Sequence, residues 1–237
     1  MLGRFLELSL PTSRILDSWH FYRRLGFTEA PAGEIWPHRY AVVTDGRLAL
    51  GLHDAPLAGP VLTYVQPGLS GRLAALEAAG VRFQHCEVGE DTFNEALFAS
   101  PDGQHVRLVE ARTYSPPERV EPTVLGWFEE CALPVTDLGA ARAYWEGLGF
   151  VTTAEDDAPW PHLSLTSDTL DIGLHLTREL SRPTLVFSTD DGRALRERID
   201  ELGVEPDGRL PRLLDPDSHL LLVAPEGTRL LIGPPPA

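Results

Sequence analysis

From residue 4 to residue 10 the chain alternates. Leu6, Leu8 and Leu10 fall on one side, and Phe5, Glu7 and Ser9 on the other. A period of two marks a strand with one face on a core. The spacing then becomes helical at Ile15, Trp19 and Tyr22, with Thr12 or Ser13 as the candidate cap, and it stops at Gly26. A glycine there supplies the left-handed residue that commonly follows a helix. Residues 40–44 and 48–53 read as strands around Asp45-Gly46, a hairpin signal. The order then restarts. Residues 61–65 read as a strand, and Ser70 is placed to cap a helix carrying Leu73 and Leu76 and ending at Gly80. Residues 81–83, 96–99 and 106–109 read as further strands, the last two flanking the turn Pro101-Asp102-Gly103.

The second half follows the same order. Residues 127–135 predict a strand and Asp137 a helix cap, before a stripe of Leu138, Ala141, Trp145 and Leu148. Residues 162–166, 170–176 and 185–188 predict strands. Asp190 or Asp191 caps a last helix with Leu195, Ile199 and Leu202, which Gly203 ends. Residues 220–223 and 229–232 flank Pro225-Glu226-Gly227, the counterpart of Pro101-Asp102-Gly103.

The two halves repeat one another. Phe21-Tyr22-Arg23-Arg24-Leu25-Gly26-Phe27 returns 123 residues later as Tyr144-Trp145-Glu146-Gly147-Leu148-Gly149-Phe150. Gly26 and Gly80 are 54 residues apart, and so are Gly149 and Gly203. The unit is a βαβββ module of about 55 residues, used four times. One module cannot bury both faces of its small sheet, so modules pair. The expected organisation is a first domain at 1–112 (modules 1–58 and 59–112), a linker at 113–123, and a second domain at 124–237 (modules 124–181 and 182–237). The proline-rich, mixed-charge composition of 113–123 carries the linker assignment.

Charge narrows the functional classes. The 237 residues carry a net charge of −15, which argues against nucleic-acid binding by a basic surface. All basic residues are arginine, so lysine Schiff-base chemistry and a P-loop are excluded. No stretch is apolar enough to span a bilayer, and no signal peptide is expected. Two cysteines, Cys86 and Cys131, make no disulfide framework; both read as packed thiols in a cytoplasmic protein. No Gly-x-Ser-x-Gly elbow and no glycine-rich dinucleotide fingerprint occur.

The repeat, the two helix-ending motifs, the mid-module hairpin and the closing Ser100-Pro101-Asp102-Gly103-Gln104-His105-Val106-Arg107 resemble the vicinal oxygen chelate superfamily. That group includes glyoxalase I, bleomycin-resistance proteins and extradiol dioxygenases. The resemblance covers nearly the whole chain. It implies an α+β fold: four βαβββ modules paired into two cupped mixed sheets with helices outside. Many members hold a divalent metal with His and Glu from the first strand, the fourth strand, the opening strand of the next module and the closing strand. Here those positions fall at Glu7, at Gly51 (with His53 two residues on), near Pro60 and at Arg107. In the second half they fall at Glu130, Gly173 (with His175 two residues on), Thr184 and Leu231. Neither half shows the complete set, and a guanidinium cannot ligate a cation. No cofactor is expected on this reading, with a divalent metal left open at Glu130 and His175.

The candidate ligand-binding residues are Glu7, Trp36, His38, His53, Tyr64, His105, Arg107, Glu130, Trp160, His162 and His175. Glu7 and Glu130 are polar on otherwise apolar strands: a general base or ligand group, or a carboxylate paired with arginine. Arg107 is the expected partner of Glu7, and Glu130 has no such arginine. Trp36-Pro37-His38 and Trp160-Pro161-His162 match between halves, as cavity walls for a flat ligand or as aromatic plugs over a sheet edge. His53 and His175 are metal ligands or rim residues, and Tyr64 a cavity hydroxyl or plain core. His105 and Arg107 share a strand face, where an arginine grips a carboxylate or phosphate. The expected function is metal-independent binding of an aromatic or amphiphilic small molecule. The alternatives are a glyoxalase- or dioxygenase-type metal enzyme using Glu130 and His175, or a second half that serves mainly as a structural partner. A homodimer stays open.

Overall fold

A computed structural model describes residues 1–31, 35–111, 123–167 and 170–235. The first half contains β1 (Arg4–Pro11), α1 (Ile15–Arg24), β2 (Thr28–Glu29), β3 (Tyr40–Thr44), β4 (Ala49–His53), β5 (Val61–Val65), α2 (Leu73–Ala78), β6 (Phe83–Glu87), β7 (Glu95–Ala99) and β8 (His105–Val109). The second half contains β9 (Trp127–Pro134), α3 (Leu138–Gly147), β10 (Val151–Asp156), β11 (His162–Thr166), β12 (Asp171–His175), β13 (Thr184–Ser188), α4 (Gly192–Glu201), β14 (Leu220–Val223) and β15 (Arg229–Gly233). Eight strands form one mixed sheet in the order β2-β3-β4-β1-β5-β8-β7-β6. Seven form the other, in the order β10-β11-β12-β9-β13-β15-β14. β1 lies at the middle of its sheet, parallel to β4 and antiparallel to β5, and β9 is placed likewise between β12 and β13. The first strand of each half therefore joins its two modules. The expected linker at 113–123 lies outside the described residues except for Thr123.

Local chemistry explains the element ends. Gly26 and Gly149 follow their helices at φ of 95° and 104°, a conformation that costs other residues about 1–2 kcal/mol. Asp137 and Asp191 each accept a hydrogen bond from the amide three residues on and cap α3 and α4. Two expected caps differ. Thr12 Oγ1 accepts from the Arg14 amide, so it organises the turn before α1 rather than the helix itself. Ser70 sits inside a 3-10 turn (Leu69–Arg72) ahead of α2.

A single large core joins both halves. Phe27 meets Phe187 edge to face at 6.4 Å, and Tyr22 Oη donates to Glu226 Oε1 at 2.7 Å. Burial and the Glu226 carboxylate push the Tyr22 hydroxyl well above the ordinary phenol pKa. The expectation that both cysteines are packed needs correction. Cys131 is buried, and burial pushes its thiol up to about 12, whereas Cys86 on β6 is exposed. We expect Ellman's reagent at pH 8 to consume one thiol per native chain and two after unfolding. Rapid reaction of both in the native protein would contradict this packing.

The strand faces depart from strict alternation at one point. β1 carries a bulge between Phe5 and Glu7, so Phe5 pairs with Tyr64 and Glu7 with Thr63. The extra residue is Leu6, which leaves the main core and joins Trp36, Val65 and Val109 on the opposite face. Phe5 takes its place beside Leu8 and Leu10 in the main core. β9 is bulged at the matching residue, Glu129, where Phe128 pairs with Phe187 and Glu130 with Val186. The bulges keep Glu7 and Glu130 off the helix-packed core.

Candidate functional site

Glu7 is completely buried on a central strand, so its charge requires partners. Ser9 Oγ donates to Glu7 Oε1 at 2.6 Å, and Thr63 Oγ1 lies 2.8 Å from Ser9 Oγ. His53 Nε2 lies 2.5 Å from the same Glu7 oxygen, and His53 is also completely buried. Space for the carboxyl group comes from β4. Gly51 pairs with Ser9, and a Cβ on Gly51 would land on the Glu7 carboxyl carbon and both its oxygens. The glycine at a ligand position of the resembled family is thus a socket for Glu7. The other nitrogen of His53, Nδ1, lies 2.8 Å from His38 Nε2. Tyr40 stacks flat on His53 at 5.6 Å, and Trp36 meets it edge-on at 5.4 Å.

His38 opens onto a cleft of about 650 Å³ whose walls include Trp36, Phe93, Glu87, Glu95 and Arg107. The Arg107 guanidinium lies over the Trp36 ring, 5.2 Å from its centroid, a cation–π arrangement. Its Nε is 3.8 Å from Glu95 Oε2 and has no hydrogen-bond partner among the described residues. Burial, with the neighbouring His53 and Arg107, lowers the pKa of His38 from its ordinary value.

The second half repeats the buried part and alters the rest. His175 Nε2 lies 2.5 Å from Glu130 Oε1, and a Cβ on Gly173 would land on the Glu130 carboxyl. Here Trp160 Nε1 donates to His175 Nδ1 at 2.8 Å, and His162 stacks flat on His175 at 5.0 Å. The face beside them is filled by Leu180, Leu214, Leu221 and Leu231, with Leu210 against them.

Several expectations change. Glu7 and Arg107 do not pair, because the register sets Thr63 of β5 between them, and strands lie about 4.8 Å apart. His53 takes the carboxylate and Arg107 reaches Glu95. Glu130 has a partner after all, His175. Tyr64 belongs to the main core, edge-on to Phe5 at 5.4 Å, on the face away from Glu7. His105 lines a separate cleft of about 380 Å³ between the halves, with Pro60 and Asp102. On the neighbouring strands the residues directly beside Glu7 and Glu130 are Thr63 and Val186. Trp36, His38 and His53 do converge, as do Trp160, His162 and His175. The sequence reading missed Tyr40 and Phe93. Tyr40 pairs directly with His53, a register that the Asp45-Gly46 hairpin implies. Phe93 lies in a loop without periodicity, so nothing local marks it.

The donor sets do not fit a divalent ion. One oxygen of each glutamate, Oε1, is already 2.5 Å from an imidazole nitrogen. Its lateral neighbours are Thr63 and Arg107 in one half, and Val186 and Leu231 in the other. Among the described residues no three His, Cys, Asp or Glu side chains are grouped to hold a metal.

No family model and no curated protein matches the sequence. Solved structures do match. Homoprotocatechuate 2,3-dioxygenase from Brevibacterium fuscum superposes with a TM-score of 0.65 at 16% identity, over 99% of this chain and 72% of that one. The enzyme from Arthrobacter globiformis gives 0.65 and 16%, over 99% and 80%. The 2,3-dioxygenase LapB from Pseudomonas sp. KL28 gives 0.64 and 15%, over 100% and 94%. The chain therefore has the tandem α+β fold seen in these dioxygenase structures. No helix is long and apolar enough to cross a membrane.

Proposed function

We propose that the first half binds an aromatic small molecule bearing an anionic group, without a complete metal site, and that the second half serves mainly as its structural partner. One observation carries the reading: Arg107 lies over Trp36 in an open cleft that Phe93 and His38 also line, while the equivalent face of the second half is filled with leucines. An arginine above an indole offers both a flat apolar wall and donors for a carboxylate. On this reading each sheet with its helices is one domain, and the chain carries no cofactor of its own.

Phenylacetate is expected to bind more tightly than phenylacetamide by calorimetry. Arg107→Leu should weaken phenylacetate by about tenfold or more, since a charge-assisted hydrogen bond contributes ~1.5–3 kcal/mol. Equal affinity of the variant would remove Arg107 from the site.

The fold neighbours favour a second reading, a ring-cleaving dioxygenase-type enzyme with a divalent metal at Glu130 and His175. One neighbour is described as an extradiol ring-cleaving dioxygenase. This reading requires Glu130 and His175 to separate around an ion with few further donors. Elemental analysis decides between the two. Less than one Zn, Fe, Mn, Ni or Co per chain is expected in protein purified without added metal. A stoichiometric metal lost in Glu130→Ala would establish the second reading.

A further inference from the structure

We infer that the cleft between the two halves is a second ligand site, and that it takes a small apolar molecule carrying both an ammonium group and a carboxylate, the chemistry of a free aliphatic α-amino acid. The site is separate from the first-half cleft and does not rest on the reading given for it.

The cleft encloses about 380 Å³ and is formed by the turn before β8, the approach to β5, the end of β9 and the approach to β13. Junctions between domains are frequent places for small-molecule sites. Gln104 lines the cleft and is 7% exposed. Its side-chain amide is held from one end. Gln104 Nε2 donates to Pro60 O at 3.1 Å and to His105 O at 2.8 Å. Carbonyls only accept, so chemistry assigns the nitrogen end and Oε1 is the free end. That oxygen is buried and has no hydrogen-bond partner among the described residues. A buried acceptor in this state calls for a donor.

Asp102 supplies a second acceptor to the same cleft. Thr136 N and Oγ1 both donate to Asp102 Oδ1 at 2.9 Å, which ties the carboxylate across the junction. Oδ2 has no hydrogen bond among the described residues. Gly103, at a φ of 89°, makes the turn that puts Asp102 and Gln104 on one cleft. An amide oxygen together with a carboxylate oxygen suits an ammonium, which has three donors and no acceptor.

The second-half side carries positive charge. Arg182 lines the cleft, is exposed, and has no acidic partner among the described residues. Thr184 Oγ1 donates to the Arg182 carbonyl at 3.2 Å and anchors its backbone. A Cβ on Gly227 would stand 3.4 Å from Arg182 Nη1, so the glycine leaves the guanidinium room. A guanidinium without a protein carboxylate is suited to a carboxylate on a ligand. Leu133, Val135 and Trp145 complete the lining, which selects an apolar side chain.

The repeat shows what is particular to this junction. At the matching turn of the second half Thr228 stands in place of Gln104, and Tyr22 Oη reaches Glu226 Oε1 at 2.7 Å. Trp145 occupies the place of Tyr22 in the repeat and brings no hydroxyl. One turn therefore receives a donor from the helix of the other half, and the other faces an apolar wall with two acceptor oxygens unused.

The probe is L-leucine, titrated into the whole chain by calorimetry. Isocaproate and isoamylamine are the controls, each lacking one of the two charged groups. Leucine is expected to bind about tenfold or more tighter than either, since each control loses charge-assisted hydrogen bonds. Asp102→Asn keeps the acceptor for Thr136 and should weaken leucine about tenfold while leaving isocaproate unchanged. Arg182→Gln, at an exposed position, should weaken leucine about tenfold and leave isoamylamine unchanged. ¹⁵N spectra locate the site: the Gln104 side-chain amide and the Thr136 backbone amide should shift with leucine. Leucine that leaves both unmoved would overturn the inference. So would no binding at millimolar leucine, equal affinity for isocaproate, or variants that bind leucine like wild type. Each of these outcomes leaves the reading of the first-half cleft standing, because phenylacetate and Arg107→Leu test that cleft separately.

Discussion

Gly51→Ala is expected to lower the thermal midpoint by about 6–20 °C. The added Cβ would occupy the position of the Glu7 carboxyl, and the backbone of β4 is held between β1 and β3. The carboxyl must move, and it breaks its contact with a histidine that has no exposed surface. Separating a buried charge from its partner costs about 3–5 kcal/mol. For a chain of this size each kcal/mol lowers the midpoint by about 2–4 °C. Adding Glu7→Ala to Gly51→Ala should recover part of the loss, because the methyl then has room, so the two changes are non-additive. A Gly51→Ala protein within about 2 °C of wild type would refute the socket.

Glu7→Ala is expected to cost about 3–5 kcal/mol in urea unfolding, since it strands the His53 ring among groups arranged for a carboxylate. Glu130→Ala is expected to cost less, about 1–3 kcal/mol. The difference follows from burial. The Glu7–His53 side chains are 0% exposed, whereas Glu130 and His175 retain 13% and 9%. Water can reach His175 once Glu130 is gone, and its bond from Trp160 survives. In the first half the loss also releases Ser9, whose hydroxyl points at Glu7. Equal costs in the two halves would mean that the difference in burial does not distinguish the two pairs.

Most of the fold was legible because its signals are local. Helix stripes, the Asp45-Gly46 hairpin and the helix-ending glycines each arise within a few residues, and the repeat returns those glycines at a 54-residue spacing in both halves. The glycines were read correctly because only a residue without a Cβ takes a positive φ at no cost. The candidate residues were legible in kind: polar groups on apolar strands, and Trp-Pro-His repeated between halves. Their partners were not. The assignment of Arg107 to Glu7 treated the first and closing strands as meeting, but β5 lies between them. Strict alternation also placed Leu6 in the main core, and a one-residue bulge moved it out.

The sequence by itself determined the four-module order, the helix ends and the chemical character of the residues near each first strand, because these depend on periodicity and backbone conformation. Only the tertiary structure decided that Gly51 and Gly173 hold carboxyl groups, that His53 ends at His38 while His175 ends at Trp160, and that leucines fill one face and leave the other open. Each of those outcomes depends on contacts between segments 15 residues or more apart, and where strand register sets them a shift of one residue turns every side chain to the opposite face.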